Sequence, residues 1–316
     1  MKPASGVPSV PVCACGGWGR GWGLLVPRMT GTRLCRVLRL PGLTDYDAAW
    51  RYQRVLLEHA HALQKRGGDD AGDALLLLEH PRILTLGRGA TLANIRARDE
   101  DDQARRPRLV RVERGGEVTW HGPGQLVAYP ILNLSRPPHR RDLHWYTHGL
   151  EECVVRALRT GYGVASHRSP VNTGVWVGTN KIAAIGVSAS RWFTFHGVCV
   201  NVNPCMDDYG LIVPCGIAEP GHGVCSLHQL LQDSQSPRAA AATEVSVEAF
   251  LPHFARAFEE VFQASLQPAV AAGEVASKFK AEAGAGIGTD TNATSYLEAL
   301  LDVHPEIRAQ SLTLPL

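Results

Sequence analysis

Three features of this sequence carry the residue types best suited to chemistry, and the first is the turn around Cys215. Ile212–Gly216 places its thiol between the rigid Pro214 and the permissive Gly216. A thiolate attacks carbonyl carbon readily, and backbone N–H groups at a sharp turn can stabilise an oxyanion. A lone cysteine is more often a small core residue, so the tripeptide alone leaves both interpretations open.

The second feature is Lys181, which opens the second strand of a predicted hairpin and shares one face with Ala183 and Ile185. An ammonium on an apolar face is unfavourable unless it is paired or reaches solvent. Beside Cys215 it would favour the thiolate and could move a proton to a leaving group or from an incoming amine. The alternative is a solvated lysine at the end of a turn. Taken together, the features predict cysteine-based acyl transfer.

The third feature is the segment 114–130, which holds four glycines and two prolines within 17 residues. Glycine permits close approach of the backbone, so we interpret the segment as a substrate cradle. Thr119 and His121 share one side of it, and His121 is interpreted as a substrate contact in preference to a general base, with a structural hydrogen-bonding role as the alternative. Arg114 could anchor a phosphate or carboxylate, or brace the loop. Neither nucleotide-binding glycine motif is present.

Small residues on later strands indicate room for a ligand. Ala184, Gly186 and Gly197 leave space for a narrow apolar tunnel that would suit an extended acyl chain. The alternative is that these residues only let the sheet pack against a helix.

The periodicity predicts one α/β domain with a mixed β-sheet flanked by helices, over residues 33–265. A helix begins at Thr44, which we expect to cap it, and stops at Gly67 and Gly68. A second helix ends at Gly161. The predicted helices are 44–66, 144–158 and 245–262, and the predicted strands are 74–79, 109–113, 126–134, 173–177, 181–187 and 193–202.

Composition limits the function classes. The net charge of +2 does not indicate nucleic-acid binding, and no apolar run reaches the roughly 18 residues of a membrane span. The eight cysteines show no C-x-x-C pair and are interpreted as reduced thiols. A zinc site is not expected, although four of the cysteines recur irregularly near the C-terminal half.

The first 44 residues contain no Asp or Glu and are rich in arginine. This composition is typical of an organelle transit peptide, which we assign to residues 1–32; a disordered basic tail is the alternative. Residues 266–316 are rich in alanine and glycine and are expected to form a flexible C-terminal tail.

The motifs together resemble the lipoyl(octanoyl) transferase family, organellar type. The matches cover about residues 75–230 in family order and consist of Arg114–Gln125, Thr173–Trp176, Lys181–Gly186, His196–Gly197, Asn201–Val202 and Pro214–Gly216. The resemblance implies a fold like that of biotin and lipoate ligases. It implies octanoyl transfer from octanoyl-acyl carrier protein to a lysine of a lipoyl domain, with no cofactor or metal.

Residue roles follow from the same resemblance. Cys215 would carry the acyl thioester, and Lys181 would lower its pKa. The substrate-binding positions would be Arg114, Gly115, Gly116, Glu117, Val118, Thr119, Trp120, His121, Ala184, Ile185, Gly186, Gly197, Val198 and Cys199. Two positions depart from the family pattern: Cys205 replaces an aspartate, and Cys199 replaces an alanine.

The resemblance also implies partners and a location. The acceptors would be lipoyl domains of 2-oxoacid dehydrogenase complexes and the glycine cleavage H protein. Leu143–Tyr146 and Ser190–Trp192 resemble plastid and cyanobacterial members, so a chloroplast is favoured over a mitochondrion. The alternatives are an ATP-dependent lipoate or biotin protein ligase and a non-catalytic module that binds acyl carrier protein or lipoyl domains. A papain-like hydrolase is less favoured because its cysteine signature is absent.

Overall fold

The structure, a computed structural model, describes residues 32–65, 72–96, 107–216, 221–233 and 245–268, without the side chains of Pro41, Cys215, Asp233 and Pro268. Its elements are β1 (Arg33–Leu43), α1 (Tyr46–Lys65), β2 (Ala74–Glu79), β3 (Ile83–Leu86), β4 (Arg108–Arg111), β5 (Val118–His121), β6 (Gln125–Ile131), α2 (Leu143–Tyr162), β7 (His167–Arg168), β8 (Val175–Val177), β9 (Asn180–Ser190), β10 (Phe193–Asn201), β11 (Gly223–Val224), α3 (Leu227–Asp233), α4 (Val247–Phe262) and β12 (Ala264–Pro268). Short 3₁₀ helices lie at Leu92–Asn94, Met206–Leu211 and Pro214–Gly216.

The strands form one large and one small sheet. The large sheet runs in the order β12-β1-β2-β6-β10-β9-β8-β7, with β11 beside β9, and the small sheet is β4-β3-β5. In the large sheet β1 is parallel to β12 and β2, whereas β2, β6, β10, β9 and β8 pair antiparallel in turn. The predicted mixed sheet is therefore confirmed.

Helices cover both faces of the large sheet. Leu75 and Leu77 of β2 join the core that contains the buried residues of α2 and α4. Leu76 and Leu78, which point the opposite way, pack in the cluster with Ala48, Ala49 and Tyr52 of α1. A strand buried on both faces has an unbroken apolar sequence, which explains why β2 was predicted with the observed bounds.

Two predicted helix boundaries are wrong. The α1 cap is Asp45, whose Oδ1 accepts hydrogen bonds from the N–H groups of Asp47 at 2.9 Å and Ala48 at 3.3 Å. Thr44 instead uses its carbonyl to bind His80. The α2 helix passes through Gly161 and ends at Gly163, which has φ +69°. The predicted stop at residues 67–68 lies outside the described residues.

Several strands carried too little periodicity to be predicted. The strand β1 contains Cys35, which is completely buried, and β3 has only four residues. The strand β12 pairs with β1 and continues to Pro268, three residues past the predicted domain boundary. The remainder of the predicted tail and residues 1–31 of the predicted transit peptide lie outside the described residues.

Candidate active site

A pocket lies where the small sheet covers β6, β9 and β10 of the large sheet. Nine predicted substrate-binding residues line it: Arg114, Thr119, His121, Ala184, Ile185, Gly186, Gly197, Val198 and Cys199. The remaining wall residues are Tyr46, Val127, Tyr129 and His196. The sequence segments that were predicted to form a cradle are therefore brought together.

Two glycines on neighbouring strands allow the pocket walls to approach. Gly186 and Gly197 are directly paired between β9 and β10. A Cβ at Gly197 would lie 2.1 Å from the carbonyl oxygen of Ala128, and one at Gly186 would lie 2.7 Å from Cδ of Arg114. Neither position therefore has room for a side chain in the present arrangement.

Arg114 braces the glycine-rich loop. Its Nη1 donates to the carbonyl oxygens of Gly115 at 3.0 Å and Glu117 at 2.9 Å. Its Nη2 donates to Thr85 O at 2.7 Å and Thr85 Oγ1 at 2.8 Å. Of the two roles considered for Arg114, loop bracing is the one its contacts support, and the residue also lines the pocket.

His121 lies in a buried chain of hydrogen bonds. Its Nδ1 donates to Gln125 Oε1 at 2.8 Å, because Gln125 uses its Nε2 to donate to Asn201 Oδ1 at 2.9 Å. Its Nε2 is 3.3 Å from the hydroxyl oxygen of Thr85. Burial, and then the neighbouring His80, hold the pKa of His121 well below its usual value. A neutral imidazole that is bonded at both nitrogens acts as a fixed wall group and not as a base.

Two further buried histidines flank the same wall. His80 donates from Nδ1 to Thr44 O at 2.7 Å, and its Nε2 lies 2.9 Å from the hydroxyl oxygen of Tyr129. Burial lowers the pKa of His80 to about 4 and also lowers the pKa of His196. These histidines are therefore uncharged at neutral pH, which leaves Arg114 as a charged residue of the pocket wall.

Lys181 lies in a second, smaller pocket that adjoins the first. Its walls are Val118, Thr119, Lys181, Ala184, Asn201, Tyr209, Pro214 and Val224, so Thr119 and Ala184 belong to both pockets. Lys181 is only 4% exposed, and its Nζ lies 4.9 Å from the centre of the Trp176 ring. The solvated-lysine alternative is thereby excluded.

The backbone of Cys215 is held at the rim of this second pocket. Pro214 lines the pocket, and the turn is fixed by bonds from Gly216 N to Val213 O at 3.1 Å and from Val213 N to Asn94 O at 2.7 Å. Gly216 has φ +70°. The side chain of Cys215 lies outside the described residues.

Five predicted substrate-binding residues do not line the larger pocket. Trp120 points away from it and packs against Tyr209, with 5.2 Å between ring centres. Gly115 and Gly116 supply backbone to the loop, and Gly115 N donates to Val187 O at 3.0 Å. Glu117 accepts a hydrogen bond from Asn94 Nδ2 at 3.0 Å and faces Gly216. These four residues lie behind the residues that line the two pockets. Val118 lines the smaller one.

The sequence prediction missed several wall residues. Tyr46, Val127 and Tyr129 were read only as parts of a helix or a strand, and Asn201 and Tyr209 were not assigned to the site. A signal for Tyr129 existed in the alternation of β6, where Val127 and Tyr129 share one face. No local signal distinguishes Tyr46, whose position depends on how α1 packs.

Three buried cysteines, Cys35, Cys153 and Cys225, are poorly suited to nucleophilic chemistry. Burial raises the pKa of Cys35 and Cys153 well above its usual value, and raises that of Cys225 to about 12. Cys205 is exposed, and its side chain does not cap the 3₁₀ helix that follows it. The 3₁₀ helix that follows Cys205 is anchored instead by Arg82, whose Nε donates to Asp208 Oδ2 at 2.6 Å.

Two negative findings concern the described residues alone. None of the described helices is both long enough and apolar enough to cross a membrane. No group of three or more His, Cys, Asp and Glu side chains in the same ranges is arranged to hold a metal ion.

Comparison with known proteins decides the family. A family model described as the lipoyl protein ligase A/B catalytic domain matches residues 45–259. An octanoyltransferase of Thermosynechococcus vestitus is 44% identical over 227 residues, which cover 72% of this chain and 90% of that protein. The chain belongs to the octanoyltransferase family. The family resemblance predicted from the motifs, and the enzyme class with it, are confirmed.

Other relatives agree with this assignment. An octanoyltransferase of Gloeobacter violaceus is 43% identical over 228 residues, covering 72% of this chain and 90% of that protein. The chloroplastic octanoyltransferase LIP2p2 of Arabidopsis thaliana is 37% identical over 242 residues, covering 75% of this chain and 82% of that protein.

Solved structures confirm the fold. Lipoate-protein ligase A bound with ATP superimposes with a TM-score of 0.54 at 15% identity, covering 90% of this chain and 97% of that one. A T. acidophilum lipoate protein ligase with bound lipoic acid gives a TM-score of 0.53 at 16% identity, covering 86% and 95%. At these identities the likeness concerns the fold alone, and the lipoate-ligase-like architecture predicted for the octanoyltransferase family is confirmed.

Proposed function

We propose that this protein transfers an octanoyl group from octanoyl-acyl carrier protein to a lysine of a lipoyl domain through a thioester on Cys215. The observation that carries the proposal is the shared wall of the two pockets. Lys181 and Pro214 line one pocket, and Thr119 and Ala184 connect it to the other. Ala184 lies three residues along β9 from Lys181, a distance of about 10 Å. A chain lying in the larger pocket thus has its reactive end near the cysteine turn.

In the first half-reaction the thiolate of Cys215 attacks the thioester carbonyl of the donor. The new carbon–sulfur bond forms on Cys215, and the bond to the carrier sulfur breaks. Lys181 gives its proton to the departing carrier thiolate. Before the attack its ammonium favours the ionised form of Cys215.

In the second half-reaction the amine of the target lysine attacks the thioester on Cys215. A carbon–nitrogen bond forms, Cys215 leaves as a thiolate, and the proton lost by the amine returns to Lys181. The donor is already an activated thioester, so the cycle needs neither ATP nor a metal. The split into two half-reactions predicts ping-pong kinetics.

The acyl chain occupies the larger pocket. Gly186 and Gly197 provide its narrow section, and Cys199, Val127 and Tyr129 provide apolar wall. Arg114 acts through the loop it braces, and His121 fixes the opposite wall. The predicted substrate-binding set thus divides into direct wall residues and residues that hold the wall in place.

The acceptors are lipoyl domains of 2-oxoacid dehydrogenase complexes and the glycine cleavage H protein. We place the protein in a chloroplast, with a mitochondrion as the second choice. The support is the acid-free, arginine-rich N-terminus, assigned as a transit peptide over residues 1–32, and the chloroplastic Arabidopsis relative. The catalytic domain is assigned to residues 33–265. A fluorescent fusion of residues 1–44 should collect in plastids; retention in the cytosol would contradict this assignment.

The test of the function is an assay with purified protein, octanoyl-acyl carrier protein and a lipoyl domain, without ATP. We expect octanoylated lipoyl domain, detected by intact mass. A strict ATP requirement with free octanoate as donor would indicate the ligase alternative. Binding of the carrier without any transfer would indicate a non-catalytic module.

A further inference from the structure

The indole of Trp176 lies directly against the side chain of Lys181. Trp176 is the direct cross-strand partner of Lys181 between β8 and β9. Its ring centre lies 4.9 Å from the ammonium nitrogen, within the range of a cation–π contact. The ring is fixed at its own edge, where Nε1 donates to Asn172 O at 3.0 Å.

The ammonium has few other partners. Lys181 is 4% exposed, so water does little to stabilise its charge. Among the residues that the structure describes, no carboxylate forms an ion pair with it. The negative face of the indole is therefore a direct contact that the structure gives this ammonium.

The path of the Lys181 side chain is also restricted by a residue close to Trp176 in the sequence. A Cβ at Gly174 would lie 3.2 Å from Cε and 3.3 Å from Cδ of Lys181. Gly174 has φ +130°, and its N–H donates to Glu151 Oε1 at 2.9 Å. Gly174 and Trp176 thus form the two sides of a slot that directs the stem.

The titratable groups around this slot come from several elements. Glu151 of α2 binds the backbone of Gly174, Cys225 donates its N–H to Lys181 O at 3.1 Å, and Tyr209 lines the same pocket. His222 packs on Trp176 with 6.0 Å between ring centres. Cys215 follows Pro214 at the rim.

We propose that Trp176 is a positioning residue that holds the Lys181 ammonium against its ring face and directed towards the Cys215 turn. The inference rests on the proposed function, since it assigns a role within the same acyl transfer. Without the ring, the ammonium loses its cation–π contact and its stem is less restrained. A variant without the aromatic face is then less active at neutral pH and loses activity at a lower alkaline pH.

The test compares single-turnover acylation by octanoyl-acyl carrier protein across a wide pH range in wild type, Trp176→Phe and Trp176→Leu. For Trp176→Leu we expect the rate at neutral pH to fall about three- to tenfold and the alkaline limb to move down by about 0.5–1 pH unit. Trp176→Phe keeps an aromatic face, so its rate and its alkaline limb should lie between those of wild type and Trp176→Leu. Trp145→Leu, which replaces a partly buried tryptophan of α2 outside the site, should lower thermal stability and leave the pH profile unchanged.

A second measurement applies if Trp176→Leu does not fold. Replacing all seven tryptophans with fluorinated tryptophan makes the face of each ring less negative with little change of volume. The alkaline limb of the pH–rate profile should then shift in wild type but not in Trp176→Phe. An unchanged limb in Trp176→Leu, or an equal shift in both fluorinated proteins, would overturn the role of Trp176. Failure of the proposed function is a separate result, because wild type itself would then form no acyl adduct.

Discussion

The two buried cations Arg114 and Lys181 lie beside the same two pockets. They differ in the groups that their N–H donors contact. The Arg114 guanidinium donates to three backbone carbonyls and one hydroxyl within its own loop and Thr85. The Lys181 ammonium faces an indole ring and an open pocket. A cation whose donors are used by the protein supports the structure, whereas one with donors facing open space can exchange a proton with a substrate.

The contrast also separates two residues that sequence reasoning could treat alike. Both lie in motifs of the family and both are nearly excluded from solvent. Loss of Arg114 should therefore appear mainly in folding stability, and loss of Lys181 mainly in the rate of chemistry. The following experiments test this division.

The largest effect should come from Lys181→Met, which keeps the length of the side chain and removes its charge. We expect octanoyl transfer to slow by at least about 100-fold, the usual range for loss of a positioned proton donor, with little change in thermal stability. Single-turnover acylation measures it, and Lys65→Met at the exposed end of α1 is the control. A rate within threefold of wild type would remove Lys181 from the mechanism.

Arg114→Met should act on stability. The carbonyls of Thr85, Gly115 and Glu117 would lose their donor in a buried setting, at a cost of about 3 kcal/mol in the free energy of unfolding. Urea denaturation measures this loss, with the exposed neighbour Arg88→Met as control. A loss below about 0.5 kcal/mol would show that the loop does not depend on Arg114.

Acid should destabilise the pocket wall through His80. Its pKa is about 4 in the folded protein, below the usual 6.5, so the unfolded chain binds a proton first as the pH falls. The penalty is absent at pH 7 and reaches about 2 kcal/mol at pH 5. His80→Gln should remove this part of the acid sensitivity in urea titrations at the two pH values, whereas the exposed His228→Gln should not. Equal acid sensitivity in His80→Gln and wild type would contradict the assignment.

The smallest effect should come from Gly186→Ala, at the contact between Arg114 and the acyl pocket. The added methyl would lie 2.7 Å from Cδ of Arg114 and 3.0 Å from Gly115 O, which costs about 1 kcal/mol. We expect KM for the octanoyl donor to rise more than kcat falls. Gly89→Ala, where the nearest atom is 3.6 Å from the new methyl, is the matched control. Equal effects of the two substitutions would mean that Gly186 is not a narrow point.

The sequence predicted the parts of the site that depend on local chemistry. The glycines of 114–130, the small residues of β9 and β10 and Lys181 were recognisable because each breaks the pattern expected of an ordinary strand or turn. The strands β2 and β6 were recognisable because β6 is buried along its whole length and β2 along all but its last residue, Glu79.

The rest depends on packing that no local pattern encodes. Tyr46 enters the pocket because α1 crosses the sheet at that point, and β12 exists because it pairs with β1, more than 200 residues away in the chain. The slot of Gly174 and Trp176 around Lys181 requires the register between β8 and β9. The helix caps at Thr44 and Gly161 were predicted wrongly because neighbouring residues, Asp45 and Gly163, offered the same chemistry one or two positions further on.

The most direct test of the account is intact-mass analysis of the protein mixed with octanoyl-acyl carrier protein in the absence of an acceptor, followed by peptide mapping. We predict one octanoyl group, attached to the peptide that contains Cys215, absent from Cys215→Ser and retained in Cys205→Ser, where an exposed thiol is replaced. An adduct that survives in Cys215→Ser, or transfer to a lipoyl domain by that variant at the wild-type rate, would contradict the account.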